Sequence, residues 1–366
     1  MSRAVSEPDT RSDQDYQDAI LVHVSRTFAL TIPELPPGLR ATVTCAYLLC
    51  RIADTIEDEP TLTAEDKVRY LRQFSSVVGA QSDAAQLAAE LAPRLSDRTP
   101  AHERDLVGNL ARVVSSVRGM ERREQAAIQR CIEVMCEGMH QFQRHASLRG
   151  LNRLTDLDSY CYHVAGVVGE MLTELFCVQV PGMQQHAAAL RSLAPSFGQG
   201  LQMTNILKDM WDDHGRGACW LPREIFDRHG LSLEQLAPGR LQPGFQESLT
   251  ELIGIAHGHL RNALAYTLLI PAEQSGIRRF CLWSIGLALL TLGRINQHPA
   301  YTTGAQVKVS RRAVLLVRTL SNMSARSDRV LRVLFAYAAR GLPLVEQNGV
   351  RIDASNRVTE KLSHVG

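Results

Sequence analysis

Asp54-Thr55-Ile56-Glu57-Asp58 closes a largely apolar run, and far downstream Asp209-Met210-Trp211-Asp212-Asp213 closes another. Both stretches have a helical composition. A spacing of i, i+4 stacks the outer two carboxylates of each on one helix face, one turn apart. Like charges so placed repel, and two such pairs in one chain call for a cation. Mg²⁺ is the natural answer, with Mn²⁺ as its substitute, because it takes one or two carboxylates and completes its shell with water and substrate phosphate. One pair alone also fits a solvated helix face. The two together point to chemistry on a diphosphate held between two acidic helices.

Outward from these stretches nearly everything reads as helix. Ala41 to Ile56 is apolar almost all round, as in a helix buried in a large protein. Ala64 to Val78, Ala84 to Leu95, Glu103 to Val117 and Arg122 to Phe142 carry apolar residues at helical spacing. Leu157 to Cys177 follows a Thr155/Asp156 cap signal, and Gln185 to Asp212 is expected to break near Pro195. After the polar turn His214-Gly215-Arg216-Gly217, Leu221-Pro222-Arg223-Glu224 enters a short helix and Leu231 to Phe245 loops. Ser248 to Leu269, Ile277 to Arg294, Arg311 to Ser321 and Ser327 to Ala339 complete the helices. Without a Walker loop, a dinucleotide fingerprint, a solenoid repeat or a linker, the expectation is a single all-α domain over residues 16–350, with loose tails at 1–15 and 351–366.

The 366 residues suffice for a substantial core. A formal net charge of +2 argues against a nucleic-acid-binding surface. The eight cysteines have no C-x-x-C spacing, which predicts small buried residues in a reducing, cytoplasmic setting. The polar start does not read as a signal peptide. Phe280 to Gly293 falls short of the roughly 20 residues that span a bilayer, so no transmembrane helix is expected.

Several neighbours of the acidic pairs bear on the chemistry. Arg51 lies one turn before Asp54 and serves either a phosphate or an ion pair within its own helix. Gln202, Thr204 and Asn205 extend the second acidic face into an otherwise apolar helix. Two groups read more plainly: His257-Gly258-His259 as a helix-surface pair, and Glu121-Arg122-Arg123-Glu124 as a solvated face.

Four blocks in order carry a resemblance. They are His23-Val24-Ser25-Arg26-Thr27-Phe28, then Tyr47-Leu48-Leu49-Cys50-Arg51-Ile52-Ala53-Asp54 continuing to Asp58, then Tyr160-Cys161-Tyr162-His163-Val164-Ala165-Gly166-Val167-Val168-Gly169, and Gln202-Met203-Thr204-Asn205-Ile206-Leu207-Lys208-Asp209 with Asp213. Over roughly residues 20 to 225 the chain resembles the squalene/phytoene synthase family. Phe280-Cys281-Leu282-Trp283 and Gln306-Val307-Lys308-Val309 resemble the squalene-forming branch more than the phytoene-forming one. The membrane helix that ends animal and fungal members is not seen, so a soluble, bacterial-type form is implied.

The resemblance implies an isoprenoid-synthase helical bundle around a central apolar cavity, with both acidic clusters at its mouth. It assigns Asp54, Asp58, Asp209 and Asp213 to the metals, with Asn205 as a further ligand or diphosphate contact. Glu57 and Asp212 stand a step off that face. Ser25, Arg26 and Arg51 match diphosphate-binding positions, and Tyr160 matches the tyrosine of the first proton removal. Tyr47 and Phe280 would stabilise carbocations with their ring faces, and Lys208, Lys308 and Arg311 would hold NADPH. Each also has a plain alternative: packing for the aromatic residues, and a surface position for Arg26. One departure concerns NADPH, since Ser310 stands where the squalene-forming pattern has a basic residue.

The implied reaction joins two farnesyl diphosphates head to head through presqualene diphosphate, then reduces the product to squalene with NADPH. Peripheral membrane contact suits a hydrocarbon product, and a monomer is expected. Alternatives are a phytoene, dehydrosqualene or hydroxysqualene synthase without the reductive step, a chain-elongating prenyltransferase or terpene cyclase, and a non-catalytic member of the family.

Overall fold

The first acidic stretch ends a 22-residue helix, Pro37–Asp58, which enters with proline in its first turn where no N–H is missed. Leu39, Leu48, Leu49, Ile52 and Ile56 on it have no exposed surface, which is what its apolar-all-round sequence requires. The computed structural model describes residues 11–25, 27–143, 147–346, 351–352 and 358–359. Around Pro37–Asp58 pack Asp13–Val24, Leu110–Arg118 and Arg122–Gln143. The chain leaves the helix at Glu59, a fully buried carboxylate. It accepts hydrogen bonds from the Thr61 N–H and hydroxyl, the Ser96 N–H and the Thr99 hydroxyl, and so pins the exit of the helix.

The second acidic stretch ends the helix Ala187–Gly215, whose largest partner is Phe245–Leu269. It also packs on the long helical segment Leu154–Gln179, which carries a π-helical turn at Tyr162–Gly166. Here the backbones nearly touch: a Cβ on Gly198 would lie 2.0 Å from the Ala165 carbonyl oxygen, and one on Gly169 would lie 2.2 Å from that of Ala194. Only glycine allows this approach. Ser275–Gln297 packs beside Phe245–Leu269 and carries Arg311–Ser324, while Asp328–Ala338 packs against both Ser275–Gln297 and Phe245–Leu269. Arg278, 2% exposed, ties this end together by bonding the Ile270 and Ala325 carbonyls and the Asp328 carboxylate.

The all-α expectation holds for the described residues, apart from a two-residue antiparallel pairing of Arg351–Ile352 with Val358–Thr359 and an isolated bridge between Leu151 and Pro222. Leu154–Gln179 and Ser275–Gln297 are each long and apolar enough by composition to cross a membrane, yet both pack in the interior.

Several expectations need correction. The helix runs through Pro195 without a break; the carbonyl that proline fails to serve belongs to the exposed Arg191. Ala84 to Leu95 stops at Leu91 and tightens into a 3₁₀ turn around Pro93. Glu103 to Val117 is two helices that meet at Asn109. Asp156 lies inside the helix that begins at Leu154 and bonds back to the Arg153 N–H at 3.0 Å. Asp13 to Asp15, placed in the N-terminal tail, form the first turn of Asp13–Val24 capped by Ser12. Glu121, Arg122 and Arg123 are exposed as the solvated-face reading expects, but Glu124 is buried, with Oε1 accepting from Gln179 at 2.7 Å. His257 and His259 are each 6% exposed: one bonds the Pro343 carbonyl, and the other contacts Ser196 and faces Asp158.

Candidate active site

The two acidic helix ends open on one cavity of about 990 Å³. Asp54, Glu57 and Asp58 line one side, and Asp209, Asp212 and Asp213 line the other. Separated by some 150 residues of chain, they share a site only because Pro37–Asp58 and Ala187–Gly215 converge there. Val24, Phe28, Val164, Ile206, Trp211 and Trp220 supply apolar wall. One and two turns beyond Val164, Val168 and Leu172 continue its stripe as half-buried residues.

Most of the predicted site residues meet here: Ser25, Tyr47, Arg51, Tyr160, Asn205 and Lys208 also line the cavity. Arg26 lies outside the described residues. Phe280 stands one ring behind the wall, its centroid 6.3 Å from that of Phe28, and is 3% exposed. Lys308 and Arg311 are exposed and do not line the cavity. Their segment nevertheless adjoins its rim. The Gly304 N–H bonds Asp212 at 3.2 Å, and the Tyr301 hydroxyl bonds the Leu207 carbonyl. A Cβ on Gly304 would lie 2.5 Å from Asp209 Oδ1, so this strap sits against the second acidic cluster as only glycine permits.

Burial and mutual repulsion raise two of these carboxyls although cationic side chains stand beside them. Burial pushes the Asp54 carboxyl up to about 6; Arg51 opposes this, while Asp58 and Glu103 add to it. Arg51 is shared, its guanidinium 3.6 Å from Asp54 and 2.8 Å from Glu103. Burial also raises Asp213, with Asp209 and Asp58 contributing, although Arg216 hydrogen-bonds it. That Asp58 acts on Asp213 shows the two clusters share one field. Lys208 lies 3.0 Å from Asp209 and donates to Asn205 Oδ1 at 3.4 Å. Asp212 is occupied by the strap, which suits its placement off the metal-facing side.

Oxygen donors at these positions fit Mg²⁺. Among the described residues no three His, Cys, Asp or Glu side chains stand close enough to form a metal site by themselves. Mg²⁺ held here would take the rest of its shell from water and substrate phosphate.

Residues 21–313 match the sequence model of the squalene/phytoene synthase family. The chain belongs to this family. It is 30% identical over 306 residues to a squalene synthase of Candida albicans, an alignment covering 81% of this chain and 65% of that one. To a squalene synthase of Cyberlindnera jadinii it is 29% identical over 314 residues, covering 84% and 68%. The chain thus spans about two thirds of the length of these relatives. A solved complex of TcSQS with a ligand superposes with a TM-score of 0.71 at 24% identity, covering 89% of this chain and 91% of that one. A dehydrosqualene synthase complex gives 0.64 at 21% identity, covering 86% and 97%. These two structures establish the isoprenoid-synthase helical fold.

In this member of the squalene/phytoene synthase family, burial, and after it Glu57, holds the Tyr160 phenol well above its usual range. Trp220 lies flat against it, and Phe142 meets its edge at 5.2 Å between centroids. Trp220 is held in place by the residues that follow it: the Leu151 N–H bonds the Leu221 carbonyl, and Glu224 of the short helix Arg223–Asp227 accepts the Leu154 N–H. Tyr47 donates to the Val24 carbonyl at 3.2 Å, so its ring rather than its hydroxyl serves the cavity. Ser25 Oγ accepts the Phe28 N–H at 2.9 Å.

Sequence reasoning missed Trp220, Arg216 and Glu103. Arg216 stood in the polar turn directly after the second cluster, and its charge was the available signal. Burial works against that charge, yet Asp213, Asp58 and Asp209 hold the guanidinium above its usual range. Glu103 and Trp220 carried no local signal.

Proposed function

We propose that the chain condenses two farnesyl diphosphates head to head to presqualene diphosphate and converts this to squalene with NADPH. The observation that carries the reading is the convergence of both aspartate pairs on one cavity, mostly polar at these residues, whose remaining wall is aliphatic and aromatic. Its squalene synthase relatives at about 30% identity support it. Asp54, Asp58, Asp209 and Asp213 would hold Mg²⁺, with Asn205 beside them. Bound there, the ion would supply Lewis-acid pull on the diphosphate and so make it a leaving group.

The chain's own residues do the rest. Arg51, held by Glu103, and Arg216, held by Asp213, present cations to the diphosphate oxygens as the allylic C–O bond ionises. Ser25 and Arg26 extend that binding. Tyr47 and Phe28 offer ring faces to the allylic cation. Tyr160 keeps its proton at neutral pH, so it passes a proton on to the departing diphosphate instead of acting as a phenolate. Val164, Ile206 and Trp220 exclude the water that would trap the cation as an alcohol. Phe280, behind Phe28, supports the wall for the second ionisation.

Lys308, Arg311 and Arg312 are exposed and have no carboxylate partner among the described residues, which suits the phosphates of NADPH at the rim. That none of the three lines the cavity also favours a second reading, in which the product leaves unreduced as dehydrosqualene or hydroxysqualene. One experiment decides: purified protein with farnesyl diphosphate and Mg²⁺, with and without NADPH, products identified by mass spectrometry. Squalene only with NADPH is expected. The same product with and without NADPH would establish the second reading, and no turnover would overturn both.

A further inference from the structure

Arg311–Ser324 and Asp328–Ala338 each leave apolar side chains on their outward face. Arg311–Ser324 buries Ser321 and Ser324 at 8% and 5% exposure, while Leu315, Leu316 and Met323 stand outward at 60%, 56% and 81%. These apolar residues share one face. On Asp328–Ala338 the inward residues Leu331 and Phe335 pack with Leu264, Leu268 and Leu282. Val330, Val333 and Tyr337, spaced i, i+3, i+7, form an outward stripe at 44%, 62% and 75% exposure. Single exposed apolar residues are ordinary, but an outward apolar stripe on each of two successive, mutually packed helices marks a docking surface.

Its charge says what docks. Between Arg311 and Arg340 the sequence has seven arginines and a single acid, Asp328. That acid is committed to the buried Arg278 at 2.7 Å. Arg329 and Arg332 stand one position before Val330 and Val333 on the helix, and Arg340 follows in the turn after it, so basic residues flank the apolar stripe. A basic rim around an apolar face, with a tyrosine in it, suits the headgroup boundary of an anionic bilayer, where apolar side chains enter and arginines meet phosphates. The hairpin also follows directly on the strap that touches Asp212, which places its first end beside the cavity mouth.

We propose that Arg311–Ser324 and Asp328–Ala338 together form a peripheral docking face for anionic lipid bilayers. The inference rests on this surface and needs no turnover.

The test is sedimentation of the full chain with phosphatidylcholine vesicles with and without phosphatidylglycerol. Binding is expected with the anionic vesicles and should weaken as salt rises. Met323→Glu with Leu316→Glu should lower the partition at least roughly tenfold, and Arg329→Glu with Arg340→Glu should remove the anionic preference. Val333→Glu, alone on the second helix, repeats the apolar test should the double variant fold poorly; circular dichroism and melting report the fold of each. Wild-type protein left in the supernatant, or unchanged binding in folded Val333→Glu, overturns the proposal. So does a concentration-dependent dimer that Met323→Glu abolishes, since a second copy would then be the occupant.

Discussion

The rings of Tyr160 and Trp220 lie flat on one another, with centroids 4.3 Å apart and planes 7° from parallel. Both line the cavity, and the stack fixes where the Tyr160 hydroxyl points. Trp220→Leu should therefore cost turnover beyond any loss of stability. The expected fall in kcat is about tenfold, with KM for farnesyl diphosphate changed less. Trp220→Phe should retain most of the rate. Steady-state kinetics of both variants, with thermal melts alongside, check this.

Asp54→Asn and Asp209→Asn should each lower Mg²⁺-dependent turnover at least roughly 100-fold. The metal-free fold should not suffer. Asp54 is held ionised at neutral pH against burial and two neighbouring acids, so its neutral replacement should melt at or above the wild-type temperature without Mg²⁺. Mg²⁺ should raise the melting temperature of the wild type and not of the variant. A wild-type gain kept in both variants would remove the metal assignment.

The raised Asp54 carboxyl also sets a pH dependence. Below about 6 it is protonated in the metal-free fold, and only the ionised form ligates. Apparent Mg²⁺ affinity should fall about tenfold per pH unit below that value. The linkage to folding has the opposite sense. A carboxyl raised above its ordinary 3.8 binds its proton more tightly in the folded state, so its contribution to metal-free stability declines as pH rises from about 4 to about 6. Calorimetric Mg²⁺ titrations at several pH values check the first point, and urea unfolding checks the second.

Glu59 behaves in the opposite way. Its hydrogen bonds with Thr61, Ser96 and Thr99 outweigh burial and hold its carboxyl down at about 2. The stability it contributes is present above the ordinary carboxylate value of 4.5 and is lost as pH falls through about 2. Glu59→Gln should destabilise the protein by on the order of 3 kcal/mol at neutral pH. The gap between variant and wild type should narrow at pH near 3, read by urea unfolding at both pH values.

Much of this was legible in the chain. The apolar surround of Pro37–Asp58 announced a buried helix, and the length of Ala64–Val78 could be read from its periodicity. Errors came where distant contacts overrode local signals. Pro195 reads as a break, but the helix is held across it by backbone approach at Gly169 and Gly198. His259 reads as surface, yet Ser196 and Asp158 come to it from two other helices.

By itself the sequence determined that Asp54 and Asp58, and Asp209 and Asp213, each share a helix face one turn apart. An i, i+4 spacing dictates that once the segment is helical, and local composition makes it helical. Only the tertiary structure decided that the two faces meet across one cavity, that Arg51 answers to Glu103, and that Trp220 lies on Tyr160. These partners lie roughly 50 to 160 residues apart in the chain. No local rule joins them; the packing of whole helices does, as apolar faces are buried and glycines let backbones close.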